Sequence, residues 1–476
     1  MMEPSLLTGL IAWDKLFWFT ALKCIYFGGK KGRLHMKLNR GRAWRGKLAD
    51  PLSYAAYPGS FLKWLLLGSA VGVMAGSASA VFLLSLDFVT GQRVRHEWLL
   101  YLLPAGGAMI SYLYMKFGNN SGKGNNLILE RIQDGTERIP LRMAPLVLLG
   151  TLGTHLFGGS AGREGTAVQM GGSLAEWFGN MIKINEPERK ILLMCGISGG
   201  FGSVFGTPLA GTVFGLEVAA FGLISHRALV PCFAASFVGD LIATEIWGVH
   251  HLHYGMGPVP ALSAAVLLKV VLASILFGLA ALSFSGLTHA LKRQFTRLLP
   301  NPVLKSAVGG ILIIAFVYVL GTRDYLGLGT SLIADSFQSE GEVISPLAFL
   351  WKLLFTALTL GTGFQGGEVT PLFAIGSTLG HSLAGWLHLY APFLAALGFV
   401  AVFSGAANTP LACFIMGIEL FGSEGALYLF IACMVSYVFS GHSGIYSSQQ
   451  IGSSKSGRWP MAEGMTLAAW KNRRNK

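Results

Sequence analysis

The chain has 476 residues, of which 52% are apolar and 12% are charged, and its mean hydropathy is +0.55. An ordinary water-soluble domain carries roughly twice that fraction of charged residues, so the composition excludes that class and indicates an integral membrane protein. Lys and Arg exceed Asp and Glu by 13, and most of this excess lies at the two ends of the chain.

The N-terminal segment is basic, with ten Lys and Arg residues between Lys15 and Lys47. A nucleic-acid-binding arm is the alternative for such a segment, but basic residues beside a membrane span are common and explain the cluster without a nucleic-acid partner. Lys23 interrupts the first apolar stretch and no small-residue cleavage site follows, so we predict no cleavable signal peptide. Because basic flanks stay on the cytoplasmic side, we predict that both termini are cytoplasmic and that the number of crossings is even.

Apolar stretches alternate with glycine-rich turns along the rest of the chain. Several exceed the roughly 20 residues that span a bilayer, while others are shorter and interrupted. They lie at residues 61–87, 98–115, 140–159, 207–225, 259–288, 303–320, 348–362 and 389–404.

We divide the chain into a basic cytoplasmic arm at residues 1–55, a first membrane half at 56–290, a second membrane half at 305–450 and a cytoplasmic tail at 451–476. The internal boundary rests on the segment HALKRQFTRLLPNP, which combines charge with two prolines. Similar halves between cytoplasmic termini each cross an odd number of times and are inverted relative to each other. The basic residues at 292–297 would then face the outside, against the charge rule, and the sequence leaves that conflict open.

A glycine-rich turn with amide side chains, SGKGNNLILERI, begins at Ser121 and leads into a predicted helix. Lys123 and the amides of Asn125 and Asn126 offer hydrogen-bond donors for an anion. The glycine spacing is one residue too short for a nucleotide-binding P-loop. A capped loop without a ligand explains the turn equally well.

Glu164 lies in GREGT, a glycine-rich loop that enters an apolar helix. The free N–H groups of a helix N-terminus suit a bound anion, and glycines such as Gly165 let an ion approach the backbone without a Cβ in the way. Glu164 can occupy the anion site as a carboxylate, or it can take up a proton and swing away. A surface loop with an Arg–Glu pair is the alternative. We predict a gate that couples anions to protons, because a buried ionisable residue within a membrane is functional by default.

Two stretches that are 202 residues apart are copies of each other, FGSVFGTPLAGTVFGLEV at 201–218 and FSGAANTPLACFIMGIEL at 403–420. Seven of the eighteen aligned positions are identical, including TPLA and the glutamates Glu217 and Glu419. A duplicated, glycine-broken hydrophobic unit is typical of a transporter whose substrate site lies near the middle of the membrane.

GGEVTP repeats the GREGT pattern in the second half and places Glu368 before an apolar helix, 204 residues after Glu164. A carboxylate at this position acts either as a helix cap or as a transport group, and the pattern alone does not decide between them. Tyr446, in GHSGIYSS, either donates its hydroxyl to an anion or belongs to the aromatic belt of the membrane interface.

No metal site, cofactor site or enzymatic centre is predicted. The five cysteines are scattered without CxxC spacing, and the histidines of HHLH, beginning at His250, have no Cys or carboxylate at ligand spacing. An intramembrane enzyme with Glu164 and Glu368 as paired carboxylates is the alternative from another class. The sequence offers it no nucleophile–base set and no HExxH motif.

The GKGNN turn, GREGT, the duplicated TPLA unit and GxEVTP with a late tyrosine, in that order, resemble the CLC family of chloride channels and anion/proton exchangers. The resemblance covers nearly all of residues 60–450. It implies an all-α integral membrane protein built from two inverted-repeat halves of tilted and broken transmembrane helices. It also implies a homodimer with one anion pathway in each subunit.

Carried over residue by residue, Glu164 matches the family's gating glutamate and Tyr446 its central tyrosine. Asn125 takes the position usually held by a serine. Val369 and Thr370 fall where chloride-type members have apolar residues whose backbone amides bind the ion, and Gly165 belongs to the same predicted anion-binding set.

The departures from the chloride-type pattern resemble the fluoride/proton antiporter branch of the family, in which Met or Asn replaces the serine and a glutamate appears in GxEVTP. GNNLI replaces GSGIP, GREGT replaces GREGP, and GEVTP replaces GxFxP. Val218 lies where chloride exchangers carry an intracellular proton-transferring glutamate. Fluoride is small and strongly hydrated, so its site needs close, strong donors such as amide N–H and hydroxyl groups.

We therefore predict a multi-pass transporter of a bacterial inner membrane that exports fluoride in exchange for protons. Glu164 is the predicted gating and proton-coupling residue, and Glu368 the second coupling glutamate. The alternative is a chloride/proton antiporter or a chloride channel of the same fold.

Overall fold

The computed structural model describes residues 51–474, apart from 136, 252, 339–343 and 457–462. The predicted basic arm, up to residue 50, lies outside the described residues. The described chain is largely helical, and its one sheet has two short parallel strands. This architecture confirms the predicted all-α class.

The first set of helices occupies the chain from residue 51 to residue 241. Short 3₁₀ turns separate some of them, and a π-helical turn at Ile242–Ile246 extends the last. These helices are α1 (Pro51–Arg95), α2 (Leu103–Phe117), α3 (Asn125–Gln133), α4 (Met143–Leu156), α5 (Glu164–Met181), α6 (Glu186–Phe205), α7 (Pro208–Glu217) and α8 (Leu229–Leu241).

A second set follows in the same order, with similar lengths, and one further short helix closes the chain. The helices are α9 (Ala264–Leu298), α10 (Pro302–Leu320), α11 (Thr330–Ser336), α12 (Ala348–Gly361), α13 (Val369–Leu387), α14 (Ala391–Ala407), α15 (Pro410–Phe421), α16 (Ala426–Phe439) and α17 (Leu467–Arg474).

The two sets correspond helix by helix at a nearly constant spacing. Helices α4 and α12 each have 14 residues and begin 205 residues apart, at Met143 and Ala348. Helices α1 and α9 end 203 residues apart, at Arg95 and Leu298. This pairing makes α9 the counterpart of α1 and favours a repeat boundary before α9.

The boundary predicted between residues 290 and 305 therefore needs correction. Residue 290 lies inside α9, which continues through the charged segment to Leu298. Lys and Arg are good helix formers and are favourable at a helix C-terminus, so the basic run extends the helix instead of breaking it. The prolines act only afterwards, where Pro302 occupies the first turn of α10.

Among the described residues, five helical segments are long and apolar enough to cross a membrane by length and composition. The remaining apolar helices of 10–17 residues, such as α4 and α12, are too short to span a bilayer alone. The long segments are Pro58–Arg95, Glu97–Phe117, His226–Ile246, Ala264–Leu298 and Pro302–Leu320.

Glycines let the helices of each half pack against each other at the backbone. A Cβ on Gly171 of α5 would lie 2.2 Å from the carbonyl oxygen of Gly196 of α6. A Cβ on Gly376 of α13 would lie 2.0 Å from the carbonyl oxygen of Gly398 of α14. Such backbone contact between small residues is typical of membrane helices, and here it occurs at corresponding places in the two halves.

The predicted tail packs onto the helical body. Strand β2 (Gln450–Ile451) pairs in parallel with β1 (Ala220–Phe221), which follows α7. Leu467 and Trp470 of α17 are buried in an apolar cluster with Phe221 and Ile451. The segment after Tyr446 is thereby fixed against the first half of the chain.

Candidate functional site

Two glycine-rich loops, one from each half, pair directly in front of α5 and α13. The N–H of Gly162 donates to the carbonyl of Gly367 at 2.6 Å, and the N–H of Gly367 donates back to Gly162 at 2.8 Å. This bridge brings the N-termini of α5 and α13 to one place. Both termini expose N–H groups that have no partner within their own helix.

The carboxylate of Glu164 lies on the N-terminus of α13. Its oxygens accept hydrogen bonds from the N–H of Val369 at 2.6 Å, the N–H of Thr370 at 3.3 Å and the hydroxyl of Thr370 at 3.2 Å. The N–H of Arg163 adds a bond of 3.0 Å. Glu164 is only 1% exposed. Because its carboxylate accepts the bonds from Val369 and Thr370, it takes the position in which a helix N-terminus binds an anion.

Gly367 makes room for that carboxylate. A Cβ at this position would lie 2.0 Å from Oε1 of Glu164 and 2.8 Å from the backbone N of Gly165. A Cβ on Gly165 would in turn lie 3.0 Å from Cα of Gly367 and 3.3 Å from Nδ2 of Asn125. Gly165 therefore lies in a tight space beside Gly367 and the Asn125 amide, where an added side chain would displace its neighbours by a few tenths of an ångström.

Glu368 precedes α13 at the N-cap position, but its side chain makes no capping hydrogen bond. The donors that a capping residue would satisfy are taken by Glu164 instead. Of the two sequence interpretations of Glu368, the helix cap is thus not realised. Its half-buried carboxyl group lies within electrostatic range of Glu164 and of Lys292.

Asn125 and Tyr446 line one small cavity, which we name the inner cavity. Tyr446 is 4% exposed, within electrostatic range of Glu164 and Glu368, so it is not a residue of the membrane interface. Oδ1 of Asn125 is buried without a hydrogen-bond partner. The complete lining is Asn125, Ile128, Leu129, Val168, Ile197, Phe214, Val218 and Tyr446.

The inner cavity contains no carboxylate among its lining residues. Val218, where chloride exchangers of the resembled family carry a glutamate, is 3% exposed and presents an apolar side chain to the cavity. The polar groups that face the cavity come from Asn125 and Tyr446.

Lys123, a candidate donor in the first turn, points away from this site. Its ammonium pairs with Glu130 at 2.8 Å and with Glu137 at 3.0 Å, and its side chain is 42% exposed. The hydrogen bonds to Glu130 and Glu137 raise the pKa of Lys123. Asn126 accepts from the N–H of Ser448 at 2.9 Å and so holds the segment that follows Tyr446.

Each of the duplicated glutamates forms hydrogen bonds to a helix of the other half. The carboxylate of Glu217, at the end of α7, accepts from the N–H groups of Leu411 and Ala412 in the first turn of α15. Glu419, near the end of α15, accepts from the N–H groups at the start of α7, each at 2.8 Å. Sequence reasoning found both residues as a repeat but not that each caps the other copy's helix.

No three His, Cys, Asp or Glu side chains converge as metal ligands within the part of the chain that the structure describes. His251 lies against Gly206, where a Cβ would be 2.5 Å from its ring. Burial lowers the pKa of His251 to about 4. The HHLH segment therefore holds one packed histidine and is not uniformly solvated.

Comparison with known proteins assigns the fold and the family. The family model described as voltage gated chloride channel matches residues 106–441, well over half of the chain. The chain belongs to the CLC family. A relative named chloride/fluoride channel protein, from Pseudomonas syringae pv. tomato, is 48% identical over 430 residues, which is 89% of this chain and 93% of the relative.

Solved CLC structures have the same architecture. The crystal structure of a CLC-type fluoride/proton antiporter superimposes with a TM-score of 0.79 at 37% identity, over 84% of this chain and 99% of that chain. A slow cyanobacterial chloride/proton antiporter matches in fold with a TM-score of 0.69 at 20% identity, over 87% and 97% of the two chains. The H(+)/Cl(−) exchange transporter ClcA of Vibrio vulnificus strain YJ016 is 26% identical over 402 residues, 78% of this chain and 84% of that protein.

Proposed function

We propose that this CLC protein is a secondary transporter that exports fluoride in exchange for protons. The relative that is 48% identical is named for chloride and fluoride, and the solved structure at 37% identity is a fluoride/proton antiporter. The chain's own departures from the chloride-type pattern, Asn125, Glu368 and Val218, support the same choice. Its function is the movement of ions, not a covalent reaction.

The observation that carries the proposal is the position of the Glu164 carboxylate. It occupies the N–H groups of Val369 and Thr370 that a bound anion would need. A carboxylate and a fluoride ion cannot use these donors together, because two like charges in a buried site repel strongly. Protonation removes the charge of Glu164 and releases the donors, so anion binding and proton binding are coupled at one place.

Fluoride suits this donor set. The Thr370 hydroxyl and the two N–H groups are hard, close donors of the kind that replaces the water around a small anion. The Asn125 side chain can add a further hydrogen-bond donor. Its amide oxygen has no hydrogen-bond partner, and a half-turn of the amide would put the NH₂ group in the place of that oxygen. Gly165 lets the ion pass between the two places at backbone distance.

Glu368 is the second coupling residue in this proposal. The inner cavity has an apolar Val218 in place of a proton-transferring glutamate, so protons on the cytoplasmic side need another carboxyl group. Glu368 is half-buried, makes no capping bond and lies within electrostatic range of Glu164. Those properties suit a group that exchanges protons with the gate.

We place both termini in the cytoplasm of a bacterium, with the transporter in the inner membrane. Lys471 of α17 lies within electrostatic range of Arg293 near the end of α9, so the C-terminus and the end of α9 share one side. Lys292 and Lys305 belong to the same region. With a repeat boundary before α9, the proposal puts this basic region on the cytoplasmic side, which agrees with the charge rule.

In this proposal the protein is a homodimer with one anion pathway in each subunit, as its family membership suggests. The lipid bilayer that surrounds the helices is the other partner of the protein. Apolar side chains along α8 and α16 are exposed, among them Phe237 at 49% and Val438 at 53%. Cross-linking in native membranes tests whether copies of the chain meet there.

The test is ion flux from proteoliposomes loaded with fluoride, with a fluoride electrode and a pH electrode in the same vessel. We expect fluoride release to be accompanied by proton uptake, and chloride release to be much slower. Glu164→Gln should abolish proton movement, while Glu188→Gln, which changes an exposed ion pair with Lys63, should leave it unchanged. Fluoride release without proton uptake in the wild type contradicts antiport. Chloride flux equal to fluoride flux favours the alternative of a chloride/proton antiporter, or a chloride channel if no protons move.

A further inference from the structure

Lys352 of α12 is a wholly buried cation, with 0% of its surface exposed. Its ammonium group donates three hydrogen bonds, to the hydroxyl of Ser160 at 2.9 Å, the carbonyl of Gly327 at 2.8 Å and the carbonyl of Tyr325 at 3.1 Å. These acceptors satisfy all three of its N–H groups. All of them are neutral.

No carboxylate pairs with Lys352 within the described residues. The charged side chain with which it interacts is Arg93, a like charge. An ammonium group buried without a counter-ion is costly, and hydrogen bonds offset only part of that cost. A residue kept at such a cost indicates a requirement that a hydrophobic side chain at this position cannot meet.

The repeat shows that the fold itself does not require a lysine here. Helices α4 and α12 begin 205 residues apart, so Val147 of α4 is the counterpart of Lys352. Val147 is also 0% exposed and lies in an apolar cluster. The first half packs the same helix with a valine, so Lys352 is specific to the half that faces the Glu164 loop.

That loop contains Ser160, four residues before Glu164 and two before the Gly162 bridge. Besides the bond from Lys352, Ser160 Oγ is 2.8 Å from the Thr356 hydroxyl, and its N–H donates to the Thr359 hydroxyl at 3.1 Å. Three residues on one face of α12 thus hold a single loop serine. We call Lys352, Thr356 and Thr359 the Ser160 anchor.

We propose that Lys352 is a positioning residue for the gate, which fixes the loop through Ser160 so that the Glu164 carboxylate returns to Val369 and Thr370 after each proton cycle. The inference rests on the proposed function, in which Glu164 leaves and re-enters the α13 N-terminus. A side chain that swings repeatedly keeps its register only if the backbone beneath it stays still. The Gly162 bridge fixes one end of the loop, and the Ser160 anchor fixes the part before it.

The decisive variant is Ser160→Ala, because it removes the loop's acceptor and leaves the charge of Lys352 with its two carbonyl acceptors. The matched control is Ser285→Ala, which removes another buried serine hydroxyl whose bond, to the carbonyl of Ala281 at 3.0 Å, stays within α9. We expect Ser160→Ala to move about half as many protons per fluoride ion, and to exchange on the order of tenfold more slowly, since a small misplacement of a reacting group has effects of that size. Ser285→Ala should match the wild type in both.

Lys352→Met and Lys352→Arg separate position from charge. If the residue acts through Ser160, both variants should reduce the proton-to-fluoride ratio, because the planar guanidinium cannot reproduce the three bonds of the ammonium. A ratio that falls in Lys352→Met but stays at the wild-type value in Ser160→Ala and Lys352→Arg overturns the positioning role, since only charge would then matter. The positioning role is also overturned if Ser160→Ala keeps the wild-type proton-to-fluoride ratio and a lowered melting temperature is its only effect. If the wild type itself moves no protons, the proposed function fails and not this inference alone.

Discussion

Replacing Gly367 by alanine should remove the Glu164 carboxylate from its site without touching the glutamate itself. The added Cβ would lie 2.0 Å from Oε1 and 2.6 Å from Cδ of Glu164. Real Cβ contacts are essentially never shorter than 3.0 Å, so the carboxylate must retreat by about 1 Å, a shift that breaks its 2.6 Å bond from the Val369 N–H. Gly367 has no positive φ, so its own backbone conformation accepts alanine, and the backbone N of Gly165, 2.8 Å from the added Cβ, must move by a further few tenths of an ångström.

The loss can be estimated from the bonds involved. A hydrogen bond to a charged group contributes about 1.5–3 kcal/mol, and every 1.4 kcal/mol changes an equilibrium about tenfold. Occupancy of the site by Glu164 should therefore fall by roughly 10- to 100-fold relative to an empty or anion-filled site. Fluoride then no longer has to compete with the carboxylate, and its movement loses its dependence on protons.

The assay is fluoride efflux from proteoliposomes with simultaneous proton counting. Gly367→Ala should release fluoride with severalfold fewer protons per ion than the wild type. Gly385→Ala is the control, because Gly385 lies in α13, the helix that follows Gly367, and has nothing within 4 Å of an added Cβ. An unchanged proton-to-fluoride ratio in a well-folded Gly367→Ala protein would refute the argument that the carboxylate and the anion share one set of donors.

Three further predictions concern selectivity, stability and pH. Asn125→Ser should raise chloride flux relative to fluoride flux on the order of tenfold, because it removes an amide donor that favours the small ion; paired ion electrodes measure the ratio. Glu217→Gln and Glu419→Gln should each destabilise the protein by about 1–3 kcal/mol, since each loses charge-assisted bonds to the other half; thermal unfolding followed by gel filtration detects the loss. Burial lowers the pKa of His251 from 6.5 to about 4, so the folded state favours the neutral ring. Stability should therefore fall as the pH drops through that interval and level off below it, and His251→Gln should flatten this part of a melting-temperature profile.

Much of the candidate site could be predicted because its pattern is local. The glycines around Glu164 and the spacing to Glu368 are visible in the printed sequence, and both fall where a helix begins. The function of Glu368 could not be decided locally, since its capping role is taken by a carboxylate 204 residues away in the chain. Only the three-dimensional pairing of Gly162 with Gly367 reveals that substitution.

Other features escaped because a local rule gave the wrong or no signal. The basic run beginning at Lys292 resembles a linker by charge, yet it continues α9 because Lys and Arg favour helices. Lys352 is a single lysine within an apolar stretch, and nothing in that stretch identifies the loop serine it contacts. Comparison with its repeat counterpart, Val147, would have marked it as unusual had the helices been aligned.

The reciprocal capping of α7 and α15 by Glu419 and Glu217 affects how the protein folds during its synthesis at the ribosome. When Glu217 enters the membrane, the N–H groups that will receive its carboxylate belong to Leu411 and Ala412, which the ribosome has not yet translated. Until nearly 200 further residues have been inserted, the newly made first half therefore has a Glu217 carboxyl group without these partners and an α7 N-terminus without the Glu419 carboxylate. Neither half is a finished folding unit, and a transporter cut between them should regain its pathway only when both pieces are produced in the same cell.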